Sequence, residues 1–345
     1  MLFDGGWEDS VPALKQPSQN KKRKRTSTAA DVVNAEQLMD KIDKQLQHQP
    51  KRPKSTGQAN TSPPRSTKAS PATRNYTAEN PAKSQKSSKK SETDQTMEAS
   101  VRPGLTALQS NMKNKLDGAR FRWINEVLYK SESAEAVSML QKDPKIFEEY
   151  HAGFRRQVES WPSNPVDIYV SEFTSSVPSS LVIADLGCGE AALARSLVPR
   201  GFTVLSFDLV SNSPWIIAAD VCSKIPLPGS EDHDDASNSQ VVDVCVCALS
   251  LMNVNWLSCV REARRVLKAN GTLKIAEVTS RFEDENKFVL LVEALGFKLR
   301  NKAHPSTHFT LLEFRKVVRP VLSDTSWKKL LSQQSVLQPC EYKRR

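Results

Sequence analysis

Apolar positions along the chain change their spacing twice, and the changes divide it. Up to about residue 110 no period holds beyond a weak helical stripe through Val32, Leu38, Ile42 and Leu46. From about Leu116 apolar residues recur every three or four positions, through Phe121, Ile124 and Leu128 and then Ala136, Val137 and Leu140, which predicts helices. Asp143 followed by Pro144 predicts a helix start, with Asp as N-cap and Pro in the first turn. Phe147, Tyr150, Phe154, Val158 and Trp161 form its buried stripe, and Pro162 stops it.

Short continuous apolar runs then alternate with helical stretches. Strands are predicted at Leu181 to Leu186, Phe202 to Leu209, Trp215 to Ala219, Val242 to Leu249 and Thr272 to Val278. The helices between them fall at Glu190 to Val198, Trp256 to Lys268 and Glu283 to Leu295. Phe297 to Lys302 and Phe309 to Lys316 predict a closing antiparallel hairpin. Together these give an α/β fold: a seven-stranded, doubly wound, Rossmann-like sheet with an N-terminal helical extension.

Composition explains why the first part has no period. Residues 1–110 are rich in Ser, Thr, Pro, Lys, Gln and Asn, and their only aromatics are Phe3, Trp7 and Tyr76, too little apolar surface to offset chain entropy. A long disordered arm is the expectation. The 345 residues therefore divide into an arm (1–110), N-terminal helices (111–165), a cofactor-binding domain (166–318) and a basic tail (319–345).

Charge follows the same boundary. Of the net +10, the arm carries most, with 19 Lys and Arg against 11 Asp and Glu. Such a tail on a near-neutral domain points to a polyanionic partner, because cations near phosphates release counterions. Lys21-Lys22-Arg23-Lys24-Arg25 and Lys51-Arg52-Pro53-Lys54 read as nuclear localisation signals or a nucleic-acid patch. No apolar run approaches a spanning length, so a soluble, intracellular protein with no membrane partner is expected. The six cysteines show no CxxC pair and no zinc spacing, so reduced thiols and no metal are expected. His233 among Glu231, Asp232, Asp234 and Asp235 reads as a flexible acidic insertion.

The candidate chemistry sits at Asp185-Leu186-Gly187-Cys188-Gly189, where a strand ends and a helix opens. Glycines there let backbone approach a ligand and turn amides outward. Gly187-x-Gly189-x-x-Ala192 also satisfies the dinucleotide pattern GxGxxG/A, so on this motif a methyltransferase and an NAD enzyme are comparable. Asp208, 19 residues after Gly189, suits both ribose hydroxyls of either cofactor. Asp220 is placed to receive an adenine amino group, and Arg265 to Gly271 resembles the turn before strand five of class I methyltransferases, with Gly271 also reading as a helix C-cap.

Beyond single motifs, Phe121 to Lys316 resembles one family throughout, the eighth ribosomal RNA-processing protein (nucleomethylin). The resemblance runs through Arg120-Phe121-Arg122-Trp123-Ile124-Asn125-Glu126, Tyr150-His151-x-Gly153-Phe154, Trp161-Pro162-x-Asn164-Pro165-Val166-Asp167 and Ala184 to Gly189. It continues at Ser206-Phe207-Asp208-Leu209, Leu249-Ser250-Leu251-Met252 and Ile275-Ala276-Glu277-Val278-x-Ser280-Arg281-Phe282. It implies a class I methyltransferase fold and S-adenosylmethionine as cofactor. The implied reaction is methylation of adenine N1 in large-subunit ribosomal RNA, by a nuclear and nucleolar protein that meets pre-ribosomal particles.

The resemblance also implies cofactor contacts at His151, Gly187, Gly189, Asp208, Asp220, Val221 and Ala248. Taken alone, His151 reads as an ordinary packing histidine. Ala248, Val221 and Asn253-Val254 stand where the family often has Cys, Met and Gly-Thr. On the substrate side, Ser250, Asn253 and Asn255 follow strand four and Arg281 follows strand five, at the carboxyl ends where open α/β sheets bind ligands. Asn255 is expected to face the adenine edge, with helix capping as its alternative, and Arg281 to bind phosphate or stack on a base. A monomeric catalytic domain is expected. A cofactor-binding scaffold with weak catalysis shares the same pocket, and an NAD-dependent oxidoreductase fits the later motifs poorly.

Overall fold

The computed structural model describes residues 106–231 and 239–342. The expected arm, its basic clusters and most of the acidic insertion lie outside them.

Among the described residues three helices come first: α1 (Ala107–Lys130), α2 (Ser133–Lys142) and α3 (Lys145–Val158). Their buried faces, including Phe121, Ile124, Leu128, Leu140, Phe147 and Tyr150, form one apolar cluster. Helix α1 begins well before the expected Leu116, at a capping box in which Thr106 and Gln109 satisfy each other's backbone amides. Its first turns bury nothing, and Leu108, Met112 and Leu116 are exposed. No buried stripe marked them. At α3 the capping residue is Pro144, and Asp143 stands one position further out, accepting from the Lys145 amide at 3.2 Å.

Helix α4 (Pro165–Ser176) was not expected; Asn164 caps it by accepting from the Val166 amide, with Pro165 in the first turn. Then come β1 (Val182–Leu186), α5 (Ala192–Leu197), β2 (Thr203–Asp208), β3 (Ile216–Ala218), β4 (Val242–Ala248), α6 (Trp256–Val266) and β5 (Leu267–Val278). The chain continues through α7 (Glu285–Ala294), β6 (Phe297–Ala303), β7 (Phe309–Lys316) and α8 (Asp324–Leu331). The sheet order is β3-β2-β1-β4-β5-β7-β6, with β7 alone antiparallel to its neighbours. Strand β4 is buried on both faces, as its unbroken apolar run requires in a parallel sheet.

One expectation is corrected here. The residue in the left-handed conformation near Gly271 is Asn270 (φ 62), inside the long β5, so Gly271 is not a helix C-cap. The described part of the basic tail packs into the domain. Leu322, Leu330, Val336 and Leu337 are buried in the main core, Leu337 bridges to Phe282, and Tyr342 packs 5.1 Å from Phe121.

The order of the sheet reverses at β1 and β4, so the carboxyl ends of these two strands open into a crevice. Helices α1 to α3 lie over that crevice and roof it.

Candidate functional site

A cavity of about 420 Å³ occupies the crevice. Its floor is the turn after β1 and the loop after β4; its roof is α3 with Leu128 of α1 and Leu140 of α2. Most of the lining is apolar, so the few polar groups carry the specificity.

The turn after β1 needs glycine for two reasons. Gly187 (φ 75) and Gly189 (φ 57) are both left-handed. A Cβ on Gly187 would also lie 2.4 Å from Ser250 Cβ, and one on Gly189 would lie 3.3 Å from His151 Cε1. The amides do not turn outward as expected. Those of Gly187 and Cys188 donate to Phe207 O at 2.8 and 3.0 Å, and that of Gly189 donates to Asp208 Oδ2 at 2.7 Å. These three amides are spent on β2 and are not offered to a pyrophosphate.

Asp208 accepts from two backbone amides, Gly189 on Oδ2 and Leu209 on Oδ1, both at 2.7 Å. A carboxylate has about four acceptor sites, which leaves two for a pair of hydroxyls. Burial raises its pKa to about 6, and the two amide bonds hold it from going higher. Asp185, on the neighbouring strand β1, is pushed to about 7 by burial and by the Asp208 charge. Asp220 accepts from Cys222 N, Ser133 Oγ and Ser223 Oγ at 2.8, 2.8 and 3.0 Å, which leaves one acceptor site.

His151 lies in the roof, 4.2 Å from the Phe147 ring and facing Gly189. Burial, with the nearby Arg155 charge, lowers its pKa to about 4, so it is neutral near pH 7. Val221 and Ala248 line the same cavity. Leu249, next in the lining, holds φ 60 without being glycine; such strain gathers at binding sites.

The expected substrate-side residues separate. Ser250 lines the cavity, and its buried Oγ has no partner. Asn253 also lines it, but its Nδ2 is held by Leu128 O at 3.1 Å. Asn255 does not line it. Its Oδ1 accepts from Ser133 N and its Nδ2 donates to Ser133 Oγ, both at 3.1 Å, so its amide is spent on α2 and neither faces a base nor caps α6 through its side chain.

Arg281 does not line the cavity either. It is 1% exposed, pairs with Glu277 at 2.6 Å, donates to Leu251 O and Gln338 O, and lies 4.6 Å over the Tyr129 ring. It is a structural cation inside the domain, out of reach of phosphate. Among the cavity residues outside the expected set are Phe154 and Asn164, whose capping oxygen is spent on Val166. The Asn164-Pro165 pair was the available signal.

Among the described residues no cluster could hold a metal ion, and no helix is long and apolar enough to cross a membrane.

Paired acceptors for two hydroxyls, one acceptor beyond β3, a glycine-lined approach and an orphan hydroxyl fit S-adenosylmethionine, and with this sheet order they define a class I methyltransferase. The family profile described as hypothetical methyltransferase matches residues 107–345, and the chain belongs to that family. It is 43% identical over 251 residues to the 25S rRNA (adenine(645)-N(1))-methyltransferase of Schizosaccharomyces pombe, covering 70% of this chain and 73% of the relative. It is 42% identical to ribosomal RNA-processing protein 8 of Dictyostelium discoideum, over 70% of this chain and 60% of that one. With the mouse protein of that name the identity is 43%, over 69% and 48%. A solved Burkholderia thailandensis 1,6-didemethyltoxoflavin-N1-methyltransferase aligns at a TM-score of 0.39 and 13% identity, over 51% of this chain and 89% of its own. The protein is an S-adenosylmethionine-dependent methyltransferase.

Proposed function

We propose that the protein methylates N1 of an adenine in large-subunit ribosomal RNA, acting in the nucleolus on pre-ribosomal particles as a monomeric catalytic domain. The observation that carries this is the 43% identity, over 251 residues, to a relative named for that reaction. The basic arm, through counterion release, suits a polyanionic substrate.

The sulfonium cofactor supplies an electrophilic methyl group. Adenine N1 is a neutral lone pair near pH 7, so no residue need remove a proton before attack, and the protein's work is orientation and exclusion of water. Asp208 holds the two ribose hydroxyls through its remaining acceptor sites, Asp220 takes the adenine amino group of the cofactor, and Gly187 and Gly189 keep the approach open. His151, Val221 and Ala248 close the walls.

N1 lies on the Watson–Crick edge, so the target base enters unpaired. Ser250 is the polar group available to it, because its hydroxyl is buried in the cavity wall and unpartnered. Asn253 shapes the same edge of the cavity while anchored to α1. The acceptor atom is tested with RNA in which the target adenine is 1-deazaadenine, a carbon in place of N1. Transfer to the adenine RNA and none to the deaza RNA is expected; equal transfer to both would reject N1.

A further inference from the structure

The turn between α1 and α2 is sewn to the loop after β4. Ser131 O accepts from Val254 N at 3.1 Å and from Asn253 Nδ2 at 3.4 Å, and Leu128 O accepts from the same Nδ2 at 3.1 Å. The next residues extend the seam to the cofactor pocket. Ser133, the first residue of α2 and 3% exposed, donates its amide to Asn255 Oδ1 at 3.1 Å. Asn255 Nδ2 donates to Ser133 Oγ at 3.1 Å, and Ser133 Oγ lies 2.8 Å from Asp220 Oδ2.

This chain has a direction. Because a backbone N–H is only a donor, Asn255 must turn its oxygen to Ser133 N, which places its NH₂ against Ser133 Oγ. That NH₂ accepts nothing, so the single proton of the Ser133 hydroxyl goes to the Asp220 carboxylate at 2.8 Å in preference to the neighbouring Cys222 sulfur, a weak acceptor. The carboxylate is then fixed by Cys222 N on one oxygen and by Ser133 and Ser223 on the other, and Ser223, on an exposed turn, is the weaker restraint.

We infer that Ser133 is a positioning residue for the cofactor. It aims the last acceptor site of Asp220 into the cavity, Asn255 aims Ser133, and the helical roof thereby sets recognition of the adenine moiety. The inference rests on the reading that Asp220 takes the adenine amino group. It also gives Asn255 a role that its absence from the cavity lining would otherwise deny.

The test uses the full chain and needs no turnover. Calorimetry compares S-adenosylhomocysteine with S-inosylhomocysteine, whose 6-oxo group presents an acceptor to Asp220 instead of a donor, and thermal unfolding is followed in parallel. The native protein prefers the adenosyl ligand, and Asp220→Ala removes the preference. Ser133→Ala weakens the adenosyl ligand about tenfold, the size of one hydrogen bond to a charged group, and leaves the inosyl ligand nearly unchanged. Ser133→Thr, which keeps the hydroxyl, keeps the preference.

Asn255→Ala shifts the preference in the same direction, and the double variant Ser133→Ala/Asn255→Ala is no worse than Ser133→Ala alone, because both act along one chain. A Ser133→Ala protein that melts earlier yet keeps the full preference overturns the inference. Should Ser133→Ala not fold, an unchanged preference in Asn255→Ala overturns it instead. An unchanged preference in Asp220→Ala rejects the underlying reading of Asp220, a separate result.

Discussion

Replacing Gly187 with alanine should damage the site through two separable terms. The first is backbone strain: Gly187 sits at φ 75, where an L-residue costs about 1–2 kcal/mol. The second is overlap. The new Cβ would lie 2.4 Å from Ser250 Cβ, whereas carbon atoms rest at about 3.5–4.0 Å, so the turn or the loop after β4 must move by about 1 Å. Overpacking of this kind costs about 1–3 kcal/mol, giving roughly 2–5 kcal/mol in all. Gly201 supplies the control, because it is also left-handed (φ 88) but an added Cβ meets nothing within 4 Å. Gly201→Ala should therefore cost the strain alone, about 1–2 kcal/mol.

Ser250→Gly removes the atom that is struck. In a double-mutant cycle, Gly187→Ala and Ser250→Gly should couple favourably by about 1–3 kcal/mol, whatever Ser250→Gly costs by itself. Denaturant unfolding of the four proteins measures the coupling, and calorimetry with S-adenosylhomocysteine should show Gly187→Ala binding more weakly than the native chain. A Gly187→Ala variant no less stable than Gly201→Ala, or a coupling indistinguishable from zero, would refute the close approach of the two loops.

Three further outcomes follow from the site and its supports. Asp208 titrates near pH 6 in the free protein, and only its ionised form accepts from both hydroxyls, so cofactor affinity should be level at pH 8 and fall as pH drops through 6. Stability of the free protein should move the other way. The raised pKa values of Asp208 and Asp185 mean that the folded chain binds protons more readily than the unfolded chain between about pH 4 and 7, so the fold gains stability as pH falls through that window; calorimetry and melting across pH 5 to 8 check both slopes. Arg281→Ala should cost about 3–5 kcal/mol of folding stability by stranding the buried Glu277 charge. A stable Arg281→Ala protein with weakened RNA binding would return Arg281 to the substrate. Ending the chain after Leu337 removes the carbonyls that Asn125 and Arg281 donate to and the ring against Phe121; a lowered melting temperature is expected, and an unchanged one would make the tail an appendage after all.

Much of the fold was legible because its central strands β1, β4 and β5 are largely buried on both faces and its helices carry stripes. The features that escaped were those with no local period. The first turns of α1 bury nothing, and α4 follows α3 so closely that Pro162 read as an end without a beginning. The tail's apolar residues are scattered, and only the core they fill explains them. In the site, the glycines and Asp208 were readable because their chemistry is local to one strand–turn–helix unit and the next strand. Asn255 and Arg281 were misplaced because their partners lie far off in sequence, Ser133 for one and Tyr129 with Gln338 for the other. Nothing in a helix start such as Ser133 signals that its hydroxyl reaches a carboxylate 87 positions later.

The reaction proposed for this site is transfer of a methyl group to adenine N1 in large-subunit ribosomal RNA. It is tested most directly by incubating the full chain with unmodified large-subunit ribosomal RNA and S-adenosylmethionine carrying a deuterated methyl group, then digesting the RNA and identifying the labelled nucleoside by chromatography and mass spectrometry. Deuterated 1-methyladenosine is expected, and it is absent with Gly187→Arg protein, in which the cofactor's approach is filled. Label in any other nucleoside, or none from a protein that binds the cofactor and the RNA, would contradict it.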